Sequence, residues 1–360
     1  MIGISVYPYK EDLAKTIEYV ETAGKLGVGR IFTNILSVPN LENEIARFKQ
    51  VIAKAREYNM EVVIDIAPAV FSELGIKPDS LDFFQELGAT AVRLDSGYDG
   101  FHEAMLTFEK SNMKVELNIS YDNPYLETVL AYKPRHGAIW GCHNFYPQRY
   151  TGLALAHFEK CSKQVKQLGI RTAAFISSSN ATHGPHPYND RLCTLEMHRD
   201  LDLITQAKHL LALEYIDDII VADVYASENE LMKLVKLNKD VIEFNVIFEP
   251  GVSEQEKSVI LNELHFCRGD INDFVSRSTF VKLKLKTATI PANNTAATLY
   301  RGDVSIGNDS FGQYKGEVNI VKQTIQNQQQ LKNKVATIIS EELFLIDYIQ
   351  PWTKFTFKEA

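Results

Sequence analysis

The chain has 360 residues, a formal net charge of −8 at pH 7, and 45% hydrophobic against 23% charged side chains. That acidic balance excludes the basic footprint of a nucleic-acid binder, and no run approaches the ~18 apolar residues of a membrane span, so neither partner is expected. The length suits a barrel of about 240 residues with a smaller companion.

Short β-branched runs alternate with longer amphipathic stretches eight times before residue 240. The expected strands are 2–6, 31–34, 62–66, 91–95, 115–120, 138–143, 172–177 and 219–225. Between them lie helical patterns such as 12–26, 41–58 and 152–168, with apolar residues three and four apart. Several stop at a glycine, namely Gly27, Gly88 and Gly169. This rhythm predicts an α/β fold of the (β/α)8 type, whose chemistry belongs at the C-terminal ends of the strands. Residues 1–240 are read as the catalytic barrel and 241–360 as a β-rich second domain. In the latter, 241–248 reads as a strand and 254–264 as a helix. Residues 280–285, 297–302 and 317–320 read as short strands, and the polar run 322–334 as a loop or exposed helix.

The opening Met1–Lys10 enters a strand pattern without a basic and then apolar leader, so a cytoplasmic location is expected. Cys142, Cys161, Cys193 and Cys267 lack CxxC spacing, which predicts neither a zinc knuckle nor a disulfide framework.

Strands of a parallel barrel are covered on both faces and read as apolar runs. Here several alternate, which predicts a polar lumen. By parity Arg93 and Asp95 point inward from the fourth strand, Glu116, Asn118 and Ser120 from the fifth, and Asp65 from the third. His143 is expected inward from the sixth, and Asp223 and Tyr225 from the eighth. Buried charges must be paired or functional. Arg93 and Glu116, one layer below the rim, fit a structural ion pair; Asp95, Asn118, His143 and Asp223 sit nearer the mouth.

The segment His143-Asn144-Phe145-Tyr146-Pro147-Gln148-Arg149 puts imidazole, amide, phenol and guanidinium into one loop. Aromatic faces stack on pyranose rings while fixed polar groups select hydroxyls, so the mixture suits a sugar. The long loop 178–193 supplies Asn180, His183, His186 and Asp190. It leads to Thr194, read as a helix N-cap, with Glu196 in the first turn. Gly184-Pro185 between the two histidines disfavours a metal pair, and no metal or other cofactor is expected. A glycosidase needs two carboxyl groups, one protonated and one ionised; Asp95, Asp223 and Glu196 are the candidates on one face. In the second domain, Arg301 and Lys315 lie among glycines that suit a phosphate or carboxylate.

At Gly3-Ile4-Ser5-Val6-Tyr7-Pro8, Arg93-Leu94-Asp95-Ser96-Gly97, His143–Pro147 with Arg149–Leu153, Thr194-Leu195-Glu196 with His198-Arg199, and Arg301–Asp303 through Gly316-Glu317, the chain resembles the bacterial 6-phospho-N-acetylmuramidase family. Members have also carried the label "outer surface protein", which conflicts with the absent leader. One departure is Asn189–Cys193, where a Gly-Leu-Pro is expected before Thr-Leu-Glu. The resemblance implies a barrel followed by a cyclophilin-like β domain. It also implies an intracellular exo-glycosidase that cleaves the β-1,4 bond between 6-phospho-N-acetylmuramic acid and N-acetylglucosamine during cell-wall recycling.

On this reading the partner is a phosphorylated amino sugar. Asp95, Asp223 and Glu196 carry the reaction. Arg93, Asn118, His143, Asn144, Tyr146, Arg149 and Asn180 line the sugar pocket, and Arg301 and Lys315 meet an acidic substituent. Two alternatives stand beside it: a sugar-phosphate aldolase or epimerase, and a non-catalytic phosphosugar binder. No expected strand ends in the lysine a Schiff-base aldolase needs. A homodimer is left open.

Overall fold

The structure, a computed structural model, describes residues 1–360 other than 37, 39, 40, 68, 69, 72–74, 78, 79, 182 and 286. The chain divides into two units, Met1–Leu237 and Asn238–Ala360.

In the first unit eight parallel strands close in sequential order: β1 (Ile2–Ser5), β2 (Arg30–Asn34), β3 (Glu61–Ile66), β4 (Ala91–Leu94), β5 (Lys114–Asn118), β6 (Ile139–Cys142), β7 (Arg171–Ile176) and β8 (Asp218–Val221). β8 returns to β1 with Gly3 opposite Ile220, which completes the (β/α)8 barrel. The helices follow from local chemistry. In α1 (Leu13–Leu26) the Asp12 carboxylate accepts the Lys15 amide at 2.8 Å, and Gly27 ends the helix at φ +93°, where a side chain would be strained.

The lumen is identified by side chains that meet across it. Arg30 of β2 reaches Glu116 of β5 and, at 2.8 Å, Asp218 of β8, all three nearly fully buried. Arg171 of β7 joins the same Asp218 at 2.8 Å and Glu61 at 2.8 Å, with its guanidinium 4.4 Å from the Trp140 ring. Above this charged layer Phe32, Cys142, Ala173, Phe175, Ile220 and Ala222 form an apolar one. Arg93 and Glu116 are register neighbours, yet they do not pair with each other. Glu116 takes Arg30, and Arg93 turns to Asp65 at 2.6 Å.

On two strands the inward set is the opposite of the expected one. Trp140 and Cys142 carry the inward register of β6, so His143 faces out. It packs on Phe158 with ring centroids 4.5 Å apart and bonds Ser162 at 2.8 Å, both on α6 (Leu155–Gln167, counting described helices α1 and 41–57, 82–87, 101–106 and 125–131 before it). In β8 the inward set is Asp218, Ile220 and Ala222. Tyr225, beyond the strand, lies against α1, with its ring 5.3 Å from Tyr19 and its hydroxyl 3.2 Å from Thr16. On both strands the period of two holds, but its phase lies one residue from the expected one, so Asp223, expected inward, also falls off the inward set.

The second unit is a mixed seven-stranded sheet ordered β10-β17-β9-β16-β13-β14-β11. The strands are β9 (Ile242–Phe248), β10 (His265–Phe266), β11 (Val275–Ser278), β13 (Asp303–Gly307), β14 (Val318–Val321), β16 (Lys332–Ile338) and β17 (Lys354–Glu359). A separate pair joins β12 (Thr298–Leu299) to β15 (Ile325–Gln326). The Arg268 amide donates to Arg277 at 3.1 Å, drawing the two edges nearly closed. Residues 280–285 form a 3-10 turn rather than a strand. The polar run 322–334, expected as a loop or exposed helix, holds β15, an exposed 3-10 turn at Gln328–Gln330 and the start of β16. Its Asn333 is fully buried and bonds Glu256 at 2.9 Å, so amide pairing sustains a strand that composition hides.

Candidate functional site

A cavity of about 190 Å3 opens above the apolar layer of the barrel, where the strands end. Phe32, Phe145 and Phe175 form its apolar wall; Tyr9, Asn34, Asp65, Arg93, Asp95, Asn144 and His186 supply its polar groups. Five of these polar groups lie at or just past the C-terminal ends of β2, β3, β4 and β6, as the barrel rule requires.

Arg93 organises the mouth. Its Nη1 donates to Asp65 Oδ1 at 2.6 Å and to Asp95 Oδ1 at 3.2 Å, and its Nη2 donates to Asn144 Oδ1. The two carboxylates differ in setting. The Asp65 side chain is 7% exposed and that of Asp95 42%. Burial pushes the Asp65 carboxyl up to about 7 against the pull of Arg93, and the nearby Asp95 charge adds to the rise. Burial likewise raises the Tyr9 phenol to about 12 and lowers the His186 imidazole. Tyr9 Oη and Asn34 Oδ1 are buried on this cavity with no hydrogen-bond partner. Unpaired polar atoms of this kind are what a polar ligand satisfies.

Of the residues expected at the site, Arg93, Asp95 and Asn144 meet here. Asp223 does not line the cavity; it is buried just past β8, accepts Asn189 Nδ2 at 3.0 Å, and has its carboxyl raised by burial. Asn118 accepts the Ser120 amide at 3.0 Å and leaves its own Nδ2 unpartnered. Tyr146 is tied by a backbone bridge to Cys193, and burial raises its phenol. Asn180 lies beyond β7, with its amide on Ser178 Oγ at 3.0 Å.

Other residues are committed elsewhere. Glu196 does not line the cavity. It accepts the amides of Tyr150 and Gly152 at 2.8 Å each, and Arg199 grips it at 2.8 and 2.7 Å. Arg199, followed by those amides, lowers its carboxyl to about 2. Arg149 is spent on Asp190 and Asp200, both at 2.8 Å. His143, facing α6, is held neutral by burial, its imidazole lowered to about 3. Thr194 caps no helix; its hydroxyl donates to Asn144 O at 2.8 Å and accepts Phe175 N at 2.9 Å, which fixes the cavity wall. In the second unit Arg301 pairs with Asp347 at 2.9 Å and donates to Lys322 O and Leu343 O, while Lys315 pairs with Asp309 at 2.7 Å.

Asn34 and Tyr9 are additions that the sequence reading missed. Asn34 ends β2 on the inward register set by Arg30 and Phe32, so parity was the available signal; Tyr9 sits in a loop and gives none. Among the described residues no group of three His, Cys, Asp or Glu is placed to hold a metal ion, and no helix is long and apolar enough to cross a membrane.

Fold and site together define a (β/α)8-barrel protein with a carboxylate–guanidinium cluster at the C-terminal ends of its strands. Residues 2–236 match the N-terminal, and residues 242–358 the C-terminal, family model of 6-phospho-N-acetylmuramidase. The chain belongs to the 6-phospho-N-acetylmuramidase family, a family of glycosidases. It is 46% identical to an uncharacterized B. cereus protein of known crystal structure, over 99% of each chain, with a TM-score of 0.92. A conserved Enterococcus faecalis protein of unknown function shares the fold at 24% identity and a TM-score of 0.74, over 100% of this chain and 96% of that one. No functionally curated protein matches the chain.

Proposed function

We propose that the protein hydrolyses the β-1,4 bond between 6-phospho-N-acetylmuramic acid and N-acetylglucosamine, acting from the chain end on cell-wall fragments recovered into the cytoplasm. The observation that carries this reading is the pair of acids, one buried and one open, on a single guanidinium nitrogen in a barrel-mouth cavity. Family membership supplies the substrate class.

Asp65, held up to about 7 by burial, carries a proton near neutrality and is the general acid for the leaving oxygen. Asp95, more exposed, is the partner carboxylate. Because their nearest oxygens contact one nitrogen at 2.6 and 3.2 Å, they lie closer together than the ~6.5–9.5 Å an inverting glycosidase leaves for its water. That favours a retaining course, with Asp95 as nucleophile or as the group that orients the substrate's acetamido oxygen. Arg93 and Asn144 fix both acids, the three phenylalanines take the pyranose face, and Asn34 and Tyr9 select hydroxyls. Asp223 stays in reserve as a second buried acid just past β8. Glu196, ionised and fourfold bonded, shapes the loop rather than exchanging a proton. The second unit is, on the resemblance, a cyclophilin-like barrel.

Incubating the protein with the phosphorylated disaccharide tests this. The expected products are 6-phospho-N-acetylmuramic acid and N-acetylglucosamine; intact substrate beside an active control enzyme ends the reading.

A further inference from the structure

Arg301 and Lys315 are both neutralised, but a different set of cations in the second unit is not. Register places Arg277 of β11, Asn319 of β14 and Ser305 of β13 side by side on one face of the sheet. Gly307, two residues past Ser305, lies opposite Lys332 of β16. A Cβ there would come within 2.4 Å of the Tyr314 carbonyl oxygen, so the missing side chain lets the turn at 309–314 settle onto the sheet. Lys332 reaches across β13 and donates to Asn319 Oδ1 at 2.7 Å.

Charge is unevenly answered in this cluster. Glu317 accepts two bonds from Arg277, at 2.9 and 3.0 Å, and further ones from Thr279 and Asn319, so its capacity is used. Lys332 and Lys282 have only neutral acceptors, Asn319 Oδ1 and Gln313 O, and among the described residues neither has a carboxylate at ion-pair distance. Ser305 is fully buried and its hydroxyl has no partner. Two aromatic rings complete the set: Tyr314, 37% exposed, has Lys282 and Arg277 at 5.6 and 5.9 Å, and Phe311 has Lys332 at 6.0 Å. Two uncompensated ammonium groups and a vacant hydroxyl donor beside rings, in a chain of net charge −8, suit an anion that carries an apolar face.

We propose that Lys332, Lys282 and Ser305, with Phe311 and Tyr314, form an oxyanion site within the second unit, and that its ligand is a pyranose bearing a carboxylate or a phosphate. The rings take the sugar face and the three donors with free N–H or O–H groups take the oxyanion. The site stands on this unit alone and does not depend on the reaction assigned to the barrel.

Lysine acetylation of the full chain, mapped residue by residue by mass spectrometry, tests it. Glucuronate or glucose 6-phosphate should slow labelling of Lys332 and Lys282 by at least about threefold while exposed Lys133 is unaffected, and neutral glucose should protect neither. Whichever acidic sugar protects at the lower concentration identifies the oxyanion. Ser305→Ala should raise the concentration for half-protection by about tenfold, the loss of one charge-assisted hydrogen bond. Unchanged Lys332 labelling with both acidic sugars overturns the proposal, and so does equal protection by glucose. Protection by inorganic phosphate as strong as by glucose 6-phosphate overturns the pyranose part.

Discussion

Asp65 and Asp95, on neighbouring registers of the barrel mouth, converge on the same nitrogen of Arg93 at 2.6 and 3.2 Å while differing sixfold in side-chain exposure. One guanidinium therefore holds two acids in unlike surroundings, and unlike surroundings separate the acid from the base in carboxylate chemistry. Replacing the exposed partner is the direct check. Asp95→Asn should lower kcat by about 10³-fold or more and leave substrate affinity within a few-fold. Single-turnover kinetics with an independent binding titration would separate the two; a variant with near-normal turnover removes Asp95 from the reaction. A pure binding protein would show no turnover in either form.

The buried partner makes a prediction about pH. Asp65 has a folded-state pKa of about 7, above its unfolded value of about 3.9. An acid raised in this way binds its proton more tightly in the folded state. Its stabilising contribution is complete below pH ~4 and is lost as pH rises through 7. Asp65→Asn, which cannot ionise, should flatten the fall in stability between those limits. Urea melts at pH 4, 5.5 and 7 report it directly. Wild-type kcat should fall above pH ~7 as the acid deprotonates, and a profile that stays level to pH 9 assigns the proton to another group.

Much of this architecture could be read from the chain, and the failures share a cause. The eight strands follow from β-branched runs separated by amphipathic stretches, and Asp65, Arg93 and Asp95 follow from alternation within β3 and β4. His143 and Tyr225 were misplaced because the inward phase was set one residue out: β6 turns Trp140 and Cys142 inward and β8 turns Asp218 and Ile220 inward, which the apolar run of each strand does not reveal. Arg30 was overlooked because it opens β2 rather than sitting among its apolar residues, yet it, not Arg93, neutralises Glu116. Glu196 looked catalytic because sequence shows a carboxylate near the mouth but not the two amides and the arginine that consume it. Pairing across 46 residues is a tertiary fact.

Glu196 accordingly predicts a structural phenotype. Its carboxyl is lowered to about 2, chiefly by Arg199, from an unfolded value of about 4.3. The stabilisation is present above pH ~4.3 and is lost as pH falls toward 2. Glu196→Gln should cost about 1–3 kcal/mol at pH 7, since it weakens bonds to charged and backbone donors and leaves the Arg199 guanidinium, 1% exposed, short of its counter-charge. The penalty should shrink in acid. Below the melting range kcat should stay within about tenfold of wild type, far less than the Asp95→Asn loss. Thermal melts at pH 7 and pH 3, paired with kcat, distinguish a loop clamp from a proton donor, which would lose turnover without losing stability.

The charged layer at the floor of the barrel should behave differently again. Arg30 bridges Glu116 and Asp218, and the three side chains are at most 2% exposed. Arg30→Met strands the buried Glu116 carboxylate and leaves Asp218 to Arg171, so it should cost about 3–5 kcal/mol, the usual penalty for removing one member of a buried charge group. Adding Glu116→Leu removes the stranded charge. Arg171 already holds Asp218 at 2.8 Å, so the double variant should recover much of the lost stability even though it lacks more native interactions. Arg30 lies beneath the apolar layer of Phe32 and Phe175 and does not line the mouth cavity, so turnover of the folded fraction should be unaffected. Chemical denaturation of the wild type, both single variants and the double variant forms a thermodynamic cycle. A double variant no more stable than Arg30→Met would mean that the layer is held by packing around Trp140 and not by charge.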